Sequence, residues 1–221
     1  MRKEAFVTGS YYHIYNRGTD KRDIFADQKD VERFLLSMEL FSNKIPTRSI
    51  QVILRDNSVG VGRLQKDEKL VSVVMYCLNP NHFHFLLKQE IDGGISEFMK
   101  RLQGGYTRYF NDNHKRSGVL FQGKFKSVFA EKENYFELLC AYVMWNNKMH
   151  NIPQNKLSLI RSSLSEYKNK NFYIVNEKEA EKILEMFSGF EKLSKHAQEI
   201  ISILREGRNK SEISPEEFID L

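Results

Sequence analysis

The chain is poor in cysteine, with two in 221 residues, and it has no apolar run near the roughly 20 residues that a membrane helix needs. Cys77 and Cys140 lie in apolar settings, VMYCLN and ELLCAYV, as small core residues do, so neither a disulfide framework nor a cysteine-based zinc site is supported. The opening MRKEAFVTGS lacks the apolar stretch of a signal peptide, and a cytoplasmic protein without membrane attachment is expected. Internal repeats and low-complexity tracts are also absent. What is present, 41% hydrophobic and 12% aromatic residues, is enough for one well-filled core with room for a small appendage.

Acid is scarce in one place. Between Lys100 and Lys126 only Asp112 stands against Lys100, Arg101, Arg108, Lys115, Arg116, Lys124 and Lys126. The net charge is +5, but residues 151–221 hold 11 Lys+Arg against 12 Asp+Glu, leaving 23 against 17 for residues 1–150. Tyr106, Tyr109, Phe110, Phe121 and Phe125 interleave with the seven cations, a pattern that neutralises phosphates and offers rings for stacking. A solvated basic face with its aromatics turned inward would read the same way.

Element signals follow one another in a β-α-β-β-α-β-α order. FVTGSYYHIYNRG has strand composition and ends at a glycine after Asn16-Arg17; Asp27 then caps a helix with Val31, Phe34, Leu35 and Met38 on one face. IQVILRD at 50–56 is short and β-branched, and strands at 70–79 and 82–89 flank an Asn-Pro-Asn turn as a hairpin. Ser96 can cap the next helix, in which Gly104-Gly105 would let another backbone come close. GVLFQGKFKSVFA at 118–130 reads as a further strand and 133–150 as a helix ended by Asn146-Asn147 and Pro153. From there the chain is helical and charge-balanced, with a Ser214-Pro215 helix start near its end. This order predicts an α+β fold, an antiparallel sheet covered on one face.

NPNHFHFLLK places His82 and His84 on one face of a strand, about 6.6 Å apart at Cα, while Phe83 and Phe85 turn to the core. Two imidazoles so placed can share one small cation, although surface or core histidines are an equal alternative. In the helix at 133–150, Tyr142 and Asn146 are four apart and lie on one face, so they could bring a nucleophile and a third ligand to such a pair. Tyr135, seven positions earlier, lies on nearly the same face, and the spacing alone does not exclude it.

HFHF after NPN resembles the HUH motif of single-tyrosine transposases. YYHIYNRGTDKRDIF is similar to their first strand and loop, GGYTRYFNDNHKRSGVLFQGKFKS to their YxRYFNxxHxRxGxLFQGRxKS segment, and YFELLCAYVMWNNKMHNI to a helix ending YIxxNPVxAG. The resemblance spans about residues 5–155 and is closest to REP-associated and insertion-sequence-200-like members. It implies a ferredoxin-like sheet covered by helices, a catalytic domain at 1–155 and a C-terminal helical extension at 156–221. It also implies cleavage of single-stranded or hairpin DNA through a 5′-phosphotyrosine and a free 3′-OH. Carried over by position, Tyr142 is the nucleophile, and His82, His84 and Asn146 are ligands of Mg²⁺ or Mn²⁺. Arg17, Arg101, Arg108, Lys115, Arg116, Lys124 and Lys126 are the DNA-binding candidates, and a homodimer is compatible with the family. Asn147 stands where the relatives have proline. A relaxase-type or replication-initiator nickase could use the same chemistry, and a non-catalytic single-strand-binding protein could share the basic, aromatic surface.

Overall fold

In the computed structural model, which describes residues 5–44, 50, 68–130 and 135–209, five antiparallel strands form a single sheet. They are β1 (Tyr11–Arg17), β2 (Val71–Asn79), β3 (His82–Gln89), β4 (Lys126–Phe129) and β5 (Arg161–Ser162), in the order β4-β1-β3-β2-β5. With α1 (Gln28–Phe41) after β1 and α2 (Gly94–Asn113) after β3, the first four strands make the expected ferredoxin-like α+β arrangement. The strand read at 50–56, Ile50 apart, and the helix start at Ser214 lie outside the described residues. Among the described residues no helix is long and apolar enough to cross a membrane.

One face of the sheet carries the aromatic core. Phe83 and Phe85, both fully buried, stack at 4.5 Å and meet Phe34 of α1, which in turn meets Tyr106 of α2 edge-on. α1 forms because Asp27 accepts the Asp30 amide at 2.9 Å as its cap, while Val31, Phe34, Leu35 and Met38 repeat on the buried side. α2 starts two residues before Ser96, which is not its cap. Gly93 takes that place, and Gly94 is required because a Cβ there would fall 2.1 Å from the Leu70 carbonyl oxygen. At Gly105 a Cβ would stand 3.3 Å from the Phe41 ring, so the glycine pair admits an aromatic side chain of α1 and not a backbone.

The expectation of a sheet covered on one face fails. All nine residues of β2 are buried, as in strands enclosed on both sides. The second cover is α3 (Tyr135–Met144), whose Tyr142 meets His84, and whose Phe136 meets Tyr11. Over α3 lies α6 (Phe190–Asn209), preceded by α4 (Leu164–Asn169) and α5 (Glu177–Met186). The extension therefore returns to the sheet. β5 pairs with β2, and the buried Glu166 of α4 accepts the Tyr76 hydroxyl and the amides of Tyr173, Ile174 and Val175.

Two further boundaries differ from the sequence reading. The strand expected over 118–130 is reduced to β4, because positive φ at Gly118 and Gly123 breaks the extended run before it. The helix expected over 133–150 stops at Met144, and Asn146–Met149 form a 3₁₀ turn.

Glu179 of α5 ties the extension to the sheet, accepting from Lys88 at 2.9 Å, Tyr11 at 2.5 Å and Lys182 at 2.9 Å with only 6% of its side chain exposed. Burial works against its charge, but these donors hold the carboxyl below its ordinary 4.5. Glu179→Gln is expected to cost about 1–2 kcal/mol at neutral pH. A carboxylate with a lowered folded pKa stabilises above its unfolded value, and that contribution fades as pH falls through the folded one. Urea unfolding above and below pH 4.5 should show a shallower acid loss in the variant.

Candidate active site

Strand period and register assemble the site. Tyr15 pairs with His84 and Arg17 with His82 across β1 and β3, while β2 sets Cys77 and Asn79 opposite the same two histidines. This row lies on the face opposite Phe83 and Phe85. His13, two residues before Tyr15, joins it diagonally, its Nε2 standing 2.8 Å from His84 Nδ1.

Each histidine of the pair is thus held at Nδ1. His82 Nδ1 lies 2.6 Å from Asn81 Oδ1, an acceptor, so this nitrogen carries the ring proton and Nε2 can accept from Asn79 Nδ2 at 3.0 Å. His84 Nδ1 is engaged by His13, leaving its Nε2 as the available nitrogen. Burial, helped by His13, His82 and His150, keeps His84 well below the usual imidazole range, and burial pushes His13 down to about 3. Both are neutral at pH 7, the form that ligates metals. Cys77, beside His84, offers no thiolate, since burial pushes its thiol up to about 12.

Asn146 reaches this face from the 3₁₀ turn. Its Oδ1 accepts from Asn79 Nδ2 at 2.9 Å and stands 3.1 Å from His82 Nε2. Asn79 Nδ2 also stands 3.0 Å from His82 Nε2, so one amide group can donate to both of these acceptors, which are 3.1 Å apart. The spacing is also that of neighbouring octahedral ligands, about 3.0–3.1 Å for bonds of roughly 2.1–2.2 Å. The buried Asn146 Nδ2 and Asn79 Oδ1 have no hydrogen-bond partner, so this amide pair is not closed by the protein alone. His82 Nε2 and Asn146 Oδ1 have the spacing of two ligands of a divalent ion of the Mg²⁺ or Mn²⁺ kind, with the His84 ring beside them, 5.3 Å from that of His82 between centroids.

Tyr142 is 4% exposed, with its ring edge-on to His84 at 5.4 Å and to His13 at 5.9 Å. Tyr106 is on the other side of the sheet, its hydroxyl donated to the Ile24 carbonyl at 2.6 Å. A second cluster, Asp27, Asp30 and His114, also lies away from the histidine face. Its groups are spent on the fold: Asp27 caps α1, and Asp30 accepts from the Ala26 amide at 2.8 Å and His114 at 2.9 Å.

The basic residues divide between the two sides. Arg17 ends β1 beside His82 and donates to Gln122. Lys126 pairs with Tyr15 and holds its ammonium 5.6 Å over that ring, which itself stacks on His84. Lys124 is exposed two residues earlier. By contrast Arg101, Arg108, Lys115 and Arg116 belong to α2 and its exit loop, on the Phe83 side. Arg101 donates to Glu97 at 2.8 Å and the Asn43 carbonyl at 3.1 Å, and Arg116 to Val119 at 3.0 Å; Arg108 and Lys115 are exposed.

Sequence reasoning missed His13, Asn79 and His150. His13 lies in YYHIYNRG, and the β4-β1-β3-β2 order would have placed it beside the pair. His150 depends on the 3₁₀ turn, for which the sequence had no signal.

Residues 57–146 match the family described as "Transposase IS200 like". Among solved structures the chain resembles a REP-associated tyrosine transposase bound to a REP hairpin, 10% identical with a TM-score of 0.50, covering 80% of this chain and 90% of that one. At that identity the likeness is one of fold. A bacterial tRNA(His) guanylyltransferase-like protein in complex with ATP is 8% identical at a TM-score of 0.36, covering 82% of this chain and 73% of that one, too distant to carry an argument. No curated protein matches the chain. The matched segment contains His82, His84, Tyr142 and Asn146, and the fold it belongs to resembles that of the tyrosine transposase.

Proposed function

We propose that this protein nicks and rejoins single-stranded DNA carrying a hairpin, using Tyr142 as the nucleophile and an ion held by His82, His84 and Asn146. The observation that carries the reading is the approach of the Tyr142 ring to a histidine pair whose Nδ1 atoms are both engaged, with the Asn146 oxygen beside them. The Tyr142 oxygen bonds to phosphorus as the bond to the 3′-oxygen breaks. The hydroxyl proton leaves the tyrosine and the departing oxygen gains one. A 5′-phosphotyrosine and a free 3′-OH result, and attack by a 3′-OH reverses the step. When bound, Mg²⁺ or Mn²⁺ would polarise the phosphate and so offset the weakness of a hydroxyl whose ordinary pKa is about 10. His13 and Asn81 orient the two imidazoles. Because Tyr142 is 4% exposed, α3 or the helices over it must shift for a phosphate to reach the hydroxyl.

A labelled hairpin oligonucleotide, incubated with protein and Mn²⁺, should give a denaturant-resistant adduct that chelator prevents. DNA bound without any adduct would instead indicate a non-catalytic binding protein.

The phosphate backbone is proposed to cross the edge marked by Arg17, Lys124 and Lys126. Arg17→Glu with Lys126→Glu should weaken single-strand binding and lower the log–log salt slope by about 0.7 for each phosphate that is no longer neutralised. Arg108→Glu, on the opposite side, should change the slope little. Titrations at several salt concentrations distinguish the two edges.

A further inference from the structure

We propose that His150 is an additional protein ligand of the ion, one that shifts the site's preference from Mg²⁺ toward Mn²⁺. The YIxxNPVxAG pattern, laid on Tyr142-Val-Met-Trp-Asn146-Asn-Lys-Met-His150-Asn151, has alanine where this chain has His150. The HUH resemblance therefore assigns this imidazole nothing. The 3₁₀ turn at Asn146–Met149 folds the chain back, and the extended backbone of His150 at its end directs the ring to His82. The two rings lie 4.5 Å apart between centroids at 71°, and the Nε2 atoms are 3.1 Å apart.

That distance equals the one from His82 Nε2 to Asn146 Oδ1, also 3.1 Å. His82 Nε2 thus has two candidate donor atoms at the separation of adjacent octahedral ligands, about 3.0–3.1 Å. Tetrahedral neighbours at the same bond length would stand about 3.4–3.6 Å apart. A simple hydrogen bond between the two imidazoles also fits 3.1 Å, with Asn79 Nδ2 donating to the Asn146 oxygen at 2.9 Å and standing 3.0 Å from His82 Nε2. A shared ion would instead take His82 Nε2, His150 Nε2 and Asn146 Oδ1 as ligands, and Mn²⁺ binding by His150→Ala separates the two arrangements. His150 would add a second imidazole nitrogen beside His82 Nε2 and the Asn146 oxygen. Mg²⁺ favours oxygen and retains its water, whereas imidazole nitrogen is better accommodated by Mn²⁺ and the later divalent ions.

This inference rests on the ion-dependent reading above, and the test separates the two. Mn²⁺ binding to the full chain without DNA is measured from the spin-resonance signal of the unbound ion, for wild type, His150→Ala and His82→Ala, with Mg²⁺ as competitor. Thermal unfolding of each variant accompanies it; His150 lies at the edge of the site, and its truncation to the family's alanine should leave the fold intact. We expect His150→Ala to weaken Mn²⁺ about tenfold or more, to leave Mg²⁺ binding nearly unchanged, and so to erase most of the preference. In wild type, Mn²⁺ should also broaden the ring-proton resonances of His150 together with those of His82. Mn²⁺ affinity within twofold of wild type in His150→Ala, with His82→Ala still defective, would leave His150 a hydrogen-bond partner only and overturn the inference. Equal binding by wild type and both variants, or none by wild type, would overturn the ion-dependent reading and this inference with it.

Discussion

His84→Ala is expected to reduce DNA cleavage about a thousandfold or more while leaving single-strand affinity within about threefold of wild type. The separation follows from placement. His84 is 7% exposed beneath Tyr142, where it can serve the reacting phosphate, while Arg17 and Lys126 provide charge at the strand edge. Loss of an ion that stabilises the transition state by several kcal/mol corresponds to a rate change of that order. His82→Ala should behave alike, since its Nε2 faces the Asn146 oxygen at 3.1 Å. Single-turnover cleavage and binding titrations on the same hairpin measure both effects. A fall in affinity matching the fall in rate would mean that the histidines bind DNA and do no chemistry.

Tyr142→Phe should abolish the covalent adduct and preserve the fold. The substitution removes one oxygen from a ring that is 4% exposed and packed edge-on against His84 and His13, so packing survives and the stability change should stay near 1 kcal/mol. Tyr135→Phe, in the first turn of α3, should still form adduct. Denaturing gels with labelled DNA distinguish the variants. If Tyr142→Phe forms adduct and Tyr135→Phe does not, the nucleophile has been misassigned and Asn146 loses its proposed partnership.

How much of this was readable beforehand depended on the range of the interaction. The period of two in HFHF and the cap and stripe of α1 are local, and the expected faces are the observed ones. Asn146 lies near His82 as its spacing from Tyr142 suggested, yet by a different route, because the α-helix stops at Met144 and a 3₁₀ turn carries it. His13 was out of reach because its partner is 71 positions away and diagonal in the register. The second cover of the sheet was missed for a similar reason: Glu166 and Glu179 bind the extension to β1, β2 and β3 through hydrogen bonds that span about 90 to 170 residues of sequence. The basic run from Lys100 to Lys126 read as one surface, but the sheet lies between its two ends, and Arg101 and Arg116 are engaged with carbonyl groups of the fold.

The most direct test of the central claim is peptide mapping by mass spectrometry of the adduct formed by the wild-type protein with hairpin DNA and Mn²⁺. The account predicts a nucleotide attached through a 5′-phosphate to Tyr142, absent when chelator replaces Mn²⁺. Attachment to Tyr135 or to any other residue, or an equal yield of adduct in chelator, would contradict it.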